Sequence, residues 1–205
     1  SGTENAGTPG AQNSRFESNH GPTFSGMKHS PTVPDPNQIV QVSVFADDPD
    51  GVASVTLHWS TGDEFTSIGM ASGPGGLYSA NIPGQTTGTV TQFYVEAVDN
   101  QGATTTFPAE GAASRAMYEV NDNQANAALA RGADSLRLIM KKNEASFMHN
   151  NYNVMSDDFV EGTLIVNESE GSYNVGIRLR GSQHSRSTSA RVGFVIRTEP
   201  DQLLR

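Results

Sequence analysis

The chain has 205 residues, with 22 Asp and Glu against 13 Lys and Arg, a net charge of −9, and no Cys. At roughly 100–200 residues per domain this length holds one or two domains. The negative balance repels phosphate backbones and excludes general nucleic-acid binding. The missing Cys excludes disulfide frameworks, thiol catalysis and Cys-based zinc sites, and no run of about 18 apolar residues is present to cross a membrane.

Residues 1–36 are rich in Gly, Pro, Ser, Asn and Thr and carry no apolar periodicity. Pro31, Pro34 and Pro36 lack the N–H groups that a sheet ladder needs, so this stretch reads as a linker with one short edge strand near Thr23–Met27. From Asn37 the period becomes two. Val40, Val42 and Val44 alternate with Gln41, Ser43 and Phe45, and after the turn Asp48-Pro49-Asp50-Gly51, Val55, Leu57 and Trp59 alternate with Ser54, Thr56 and His58. Further strands are expected at Phe65–Met70, Leu77–Ile82, Val90–Val98, Ala103–Phe107 and within Arg115–Val120. Six or seven short strands separated by turn signals at a spacing of about 8–12 residues predict a β-sandwich. Trp59, the one Trp, falls on the apolar side of an early strand and is expected in the core.

Residues 121–205 read differently. Asn121–Ala133 is a polar linker or loose helix, Leu136–Met140 a short strand, and Lys141–Asn150 a helix with Asn143 as N-cap. Three more strands, Gly162–Val166, Tyr173–Arg180 and Arg191–Thr198, predict an antiparallel sheet. The chain opens at Ser1 without a leader pattern and closes on Leu203-Leu204-Arg205 without a stop signal, which reads as a piece of a longer protein. The expected fold is mainly β: an immunoglobulin-like β-sandwich over 22–120, followed by an incomplete α+β segment over 121–205, with 1–21 as a linker.

Three stretches carry resemblances. Thr8-Pro9-Gly10-Ala11-Gln12-Asn13-Ser14 is similar to the closing string of bacterial lamin-tail domains. DDPDGVASVTLHW with TQFYVEAVDNQGATTTFP resembles the immunoglobulin/fibronectin-III-like modules of large bacterial surface proteins. LRLIMKK, NYNVMSDDFVEGTLIVNES and YNVGIRLRGSQHSRSTSARVGFVIR resemble the start of the spore-coat CotH kinase-like family. That last resemblance implies a nucleotide-phosphate loop at Arg180, Gly181, Ser185 and Arg186, with Arg191 on the following strand. Arg offers a planar fork for phosphate oxygens and Gly lets the backbone approach closely. The loop is one residue longer than the simple RGxxSR form, and Arg191 stands where the family usually has Lys. The family's metal-holding acids would fall after Arg205, so residues 1–205 are expected to lack phosphoryl transfer, with ATP and a divalent metal belonging to the parent protein.

The residues themselves leave alternatives open. Asp47, Asp48, Asp50 and Asp99 would meet at one pole of a sandwich. There they are either turn residues whose side chains bond nearby backbone or oxygen ligands for Ca²⁺. Arg178, Arg180, Arg186, Arg191 and Arg197 form either an anion site or a solvated strand face paired with Glu168, Glu170 and Glu199. His20, His29, His58, His149 and His184 lack mutual ligand spacing and are expected to be ordinary solvated residues. Ser156-Asp157-Asp158 reads as a side-chain turn or cap. The functional expectation is a modular segment of a secreted or surface bacterial protein. Its sandwich serves as spacer and interaction module toward a protein or cell-surface partner, ahead of an atypical kinase-like domain. The alternative is a purely adhesive or scaffolding protein.

Overall fold

A computed structural model of the chain describes residues 19–150, 152–181, 186 and 192–198. The strands are β1 (Thr23–Ser30), β2 (Val40–Asp47), β3 (Val52–Ser60), β4 (Thr66–Gly69), β5 (Ala71–Ser72), β6 (Leu77–Ile82), β7 (Val90–Asp99), β8 (Thr104–Phe107), β9 (Met117–Glu119), β10 (Leu136–Ile139), β11 (Val160–Val166), β12 (Glu170–Arg180) and β13 (Gly193–Arg197). Two short helices, α1 (Asn126–Leu129) and α2 (Lys142–Met148), flank β10.

The first nine strands form two facing antiparallel sheets, ordered β1-β2-β6-β5 and β4-β3-β7-β8, which is the strand order of an immunoglobulin-like sandwich. Period-two alternation builds its core. Val40, Val42 and Val44 of β2, Val55 and Leu57 of β3, Ile82 of β6, and Phe93, Val95 and Ala97 of β7 are all buried. Trp59 departs from expectation. It is half-buried and packs on the flank of this core instead of inside it. The expected edge strand near Thr23–Met27 is longer, reaching Ser30, because a bulge between Ser25 and Lys28 resets its pairing with β2. Gly26 sits in that bulge at φ 61°, a conformation that a side chain would strain.

The last strand of the sandwich is broken. β8 pairs with Val95–Val98 and β9 with Val90–Gln92 of the same β7 edge, while residues 108–116 loop out between them. That excursion carries Ser114 and Arg115 to the second unit, the antiparallel sheet β10-β11-β12-β13. Met148, Val154, Leu164, Val175, Ile177 and Leu179 form that unit's own apolar cluster. The helix cap differs from the expected Asn143. Lys141 is the N-cap residue, and its N–H donates to the Glu144 carboxylate at 3.2 Å.

The two units share side chains. Tyr173 of β12 belongs to the sandwich core, and Met117 of β9 packs with Ile139 of β10 and Ile165 of β11.

Candidate functional site

Beside this junction runs an open groove of about 800 Å³, between the β3–β4 turn, the start of β7, β9 and the start of α2. Met117 and Met140 contribute apolar floor, Ser60, Thr61 and Asp63 one wall, and Lys141 and Lys142 the other. Arg115 reaches in from the looped-out segment. Its guanidinium pairs with Glu144 at 2.6 Å and donates to the Ser114 carbonyl at 2.9 Å. Neither lysine ammonium joins an ion pair among the described residues. Gln92 lies in the lining with its amide N–H groups donating to Ala112 O at 3.0 Å and Ser114 O at 2.5 Å, while its buried Oε1 has no partner. A cationic lip over an apolar floor suits an extended ligand carrying an anionic group.

The seam behind the groove is polar, and most of its buried groups are met, although Ser114 Oγ has no partner. Thr163 Oγ1 donates to Arg115 O at 2.6 Å and accepts from Met117 N–H at 3.0 Å. Asn174 accepts from Arg115 N–H at 2.5 Å and donates to Glu110 at 2.8 Å. On the far side of the seam, Arg137 binds Glu119 at 2.7 Å, Asp122 at 3.0 Å and Glu168 at 2.9 Å. Burial opposes the Arg137 charge, but these three carboxylates outweigh it and hold the guanidinium more firmly protonated. Burial likewise pushes the Asp122 carboxyl up, yet hydrogen bonds from Gln124 N–H and Arg137 keep it below the usual range.

His29, at the end of β1, is buried between Phe93, Tyr118 and Tyr173, with ring centroids at 5.6, 5.2 and 5.8 Å. Its Nδ1 lies 2.5 Å from the Tyr173 hydroxyl and its Nε2 lies 2.8 Å from Thr32 O, while its backbone N–H donates to the same hydroxyl at 3.2 Å. Burial lowers its pKa to about 4 against the opposing pull of the Thr32 carbonyl. Burial also raises the Tyr173 phenol, and the His29 N–H only partly offsets this. The expectation of a solvated His29 is therefore corrected. His58 is half-buried: it stacks on Tyr94 at 4.5 Å and bonds Ser67 at 2.9 Å, and its buried Nε2 has no partner.

The resemblance-based loop is only partly described. Ser185 and Arg191 lie outside the described residues, as does the Thr8–Ser14 string. Arg180 ends β12 with its side chain exposed, and Gly181 follows at φ 108°. Arg186 is buried, and its guanidinium donates to Gly181 O at 2.7 Å and to Val154 O and Ser156 O at 3.2 Å each. Arg178 pairs with Asp157 and lies 5.4 Å over the Phe159 ring, with Arg197 on the same ring at 4.6 Å. Glu168, expected opposite this cluster, closes on Arg137 instead. Ser156 and Asp158 form the expected side-chain turn, Asp158 N–H donating to Ser156 Oγ at 3.0 Å.

The aspartate pole assembles as turns. Asp48 Oδ1 accepts from Asp50 N–H at 2.8 Å, and Asn100 reaches across to donate to Gly51 O at 3.1 Å and Asp50 O at 2.7 Å. The β2–β3 and β7–β8 turns therefore do share one pole. Asp99 is buried and accepts from Gln101 N–H and Ala103 N–H at 2.8 Å each and from Asn19 at 2.5 Å. Burial pushes its carboxyl up, and these donors hold it below the ordinary range. Asp47 closes β2 with an exposed side chain and pairs in register with Thr23. Among the described residues, no group of three or more His, Cys, Asp or Glu is arranged to hold a metal ion.

No protein-family model and no curated protein matches the chain. Among solved structures it is similar to the cycloalternan-degrading enzyme from Trueperella pyogenes, alone and in complex with isomaltose. Each likeness has 10% identity, covers 77% of this chain and 18% of that chain, and has a TM-score of 0.33. The chain thus spans under a fifth of that enzyme's length, and a likeness at this score carries no argument about function.

Sequence reasoning missed the groove and the seam. The signal available was the mismatch in 108–116, where a strand-spaced chain carries Pro108, Gly111 and Arg115 in place of an alternating pattern.

Proposed function

We propose that the chain is a modular segment of a secreted or surface-attached bacterial multidomain protein. Its sandwich is a spacer and interaction module leading into a CotH-like, atypical kinase-like domain. The observation that supports this reading is the seam: β9 and the preceding loop grip β11 and β12 through Arg115, Thr163 and Asn174, so a sandwich of this kind would brace the following sheet. The groove beside it, with Lys141 and Lys142 at its lip, is the surface offered to a protein or cell-surface partner. ATP and a divalent metal would belong to the parent protein, with Arg180 as the exposed cation of the resemblance-based loop. Arg186 favours a second reading, a scaffolding or adhesive protein, because its donors are already bonded to backbone carbonyls and not free for phosphate.

The test is nucleotide binding by the protein extended past Arg205, compared with residues 1–205. Saturable, magnesium-dependent ATP binding by the extended protein, weakened by Arg180→Ala, is expected. No phosphoryl transfer is expected from residues 1–205. An extended protein that folds and binds no nucleotide would overturn the kinase-like reading in favour of the scaffold.

A further inference from the structure

We infer that His29 and Tyr173 form an acid-sensitive latch holding the β10–β13 sheet against the sandwich. The latch spans 144 positions of sequence, linking the end of β1 to β12 inside the shared core. With a neutral ring every polar atom is used: Nε2–H donates to Thr32 O, and Tyr173 O–H donates to Nδ1 while its oxygen accepts from His29 N–H. A second ring proton turns Nδ1 from acceptor to donor. Tyr173 Oη then faces two donors, its own hydrogen has no other bonded acceptor among the described residues, and a positive charge stands in an aromatic box. Stacking on Tyr118 returns only part of the cost of that buried, unbalanced charge.

The groups around the ring leave it without a counter-ion. Tyr118 of β9 and Tyr173 of β12 are the titratable side chains in ring contact, β7 presents Phe93, and β2 pairs through Val42. Gly171 approaches the ring from the turn into β12, where Glu170 is exposed and Glu168 is paired with Arg137. No carboxylate, lysine or arginine pairs with His29 among the described residues. Protonation is therefore relieved by separating β12 from β1, which lets water reach the imidazolium and the phenol.

Three amides report this seam directly: His29 N–H on Tyr173, Arg115 N–H on Asn174 and Met117 N–H on Thr163. The experiment is hydrogen exchange at these amides between pH 7 and pH 3.5, corrected for intrinsic rates, alongside a ring NMR titration of His29. In the native chain, protection at the three amides should fall at least tenfold between pH 6.5 and pH 4, because the opened state takes up the proton first, and should level off as the closed ring protonates. Amides of the β2–β6 ladder should change less. In His29→Phe, which keeps an aromatic filler without a titrating nitrogen, the fall should be under twofold. Protection that survives full protonation of the ring overturns the latch, as does an equal loss in His29→Phe. If His29→Phe does not fold, the native chain decides alone: a fall that runs from pH 6.5 and levels off as the ring titrates supports the latch, and protection that stays flat over that window overturns it.

Discussion

The inner faces of the sandwich and the seam beneath them are built on opposite principles. Between β2 and β7 the contact is Val42, Val44, Phe93, Val95 and Ala97, all apolar, and any residue of similar volume would serve. Between the sandwich and the second sheet a small apolar cluster, Met117 with Ile139 and Ile165, is outnumbered by polar contacts: His29 on Tyr173, Arg115 on Glu144, Thr163 on two backbone groups and Arg137 on three carboxylates. The first region supplies burial energy that is indifferent to pH and salt. The second has geometry and partner identity written into it, because a buried polar group left unmet is costly. The sandwich thus folds by pattern, while the docking of the sheet depends on particular residues.

The largest effect is expected on the apolar side. Phe93→Ala should cost about 4 kcal/mol in chemical denaturation, through lost burial plus a cavity. Trp59→Ala should cost clearly less, since Trp59 flanks the core and does not fill it. Next comes pH. His29 has a folded pKa of about 4 against 6.5 unfolded, so its contribution is fully present above pH 6.5 and is lost as pH falls through 4. The loss should approach about 3 kcal/mol on that shift, read from denaturation midpoints across pH, and should be absent from His29→Phe. Asp99 and Asp122, both held low, add losses of the same sign at still lower pH.

Arg137→Ala strands Glu119, Asp122 and Glu168 together and should cost about 2–3 kcal/mol, less than a fully buried pair because the carboxylates keep some water. Salt should partly rescue that variant by screening the stranded carboxylates, and should leave Phe93→Ala unchanged. The two arginines of the basic loop differ in the same way. Arg186→Ala should cost about 1–2 kcal/mol, because three carbonyls lose their donor. Arg180→Ala, at an exposed strand end, should stay within about 0.5 kcal/mol of the native chain.

The same division explains what the sequence made legible. Val40, Val42 and Val44, then Val55 and Leu57, then Phe93, Val95 and Ala97 announce their faces because one period governs both burial and strand geometry. The turns Asp48–Gly51 and Asp99–Gly102 carry their own side-chain chemistry and were readable as neighbours at one pole. His29 was not readable. It lies beyond the Gly26 bulge, and a one-residue slip moves every later side chain to the other face. Its partner Tyr173 is 144 residues away, and no local pattern links them. Arg186 is ambiguous in sequence for a related reason: a loop arginine bound to backbone carbonyls has the same spelling as one bound to phosphate. The groove required knowing that β8 and β9 are two halves of one broken strand, which only their common partner β7 reveals.

At neutral pH the seam joins the sandwich and the β10–β13 sheet into one cooperative body. Native-state hydrogen exchange tests it most directly, by comparing the opening free energies of Phe93 and Val95 in β7 with those of Leu164 and Ile165 in β11 at pH 7. Equal values in the native chain, and in Tyr173→Ala a drop at Leu164 and Ile165 that exceeds the one at Phe93 and Val95, are the expected result. Opening of β11 in the native chain at a free energy well below that of β7, unaltered by Tyr173→Ala, would contradict it.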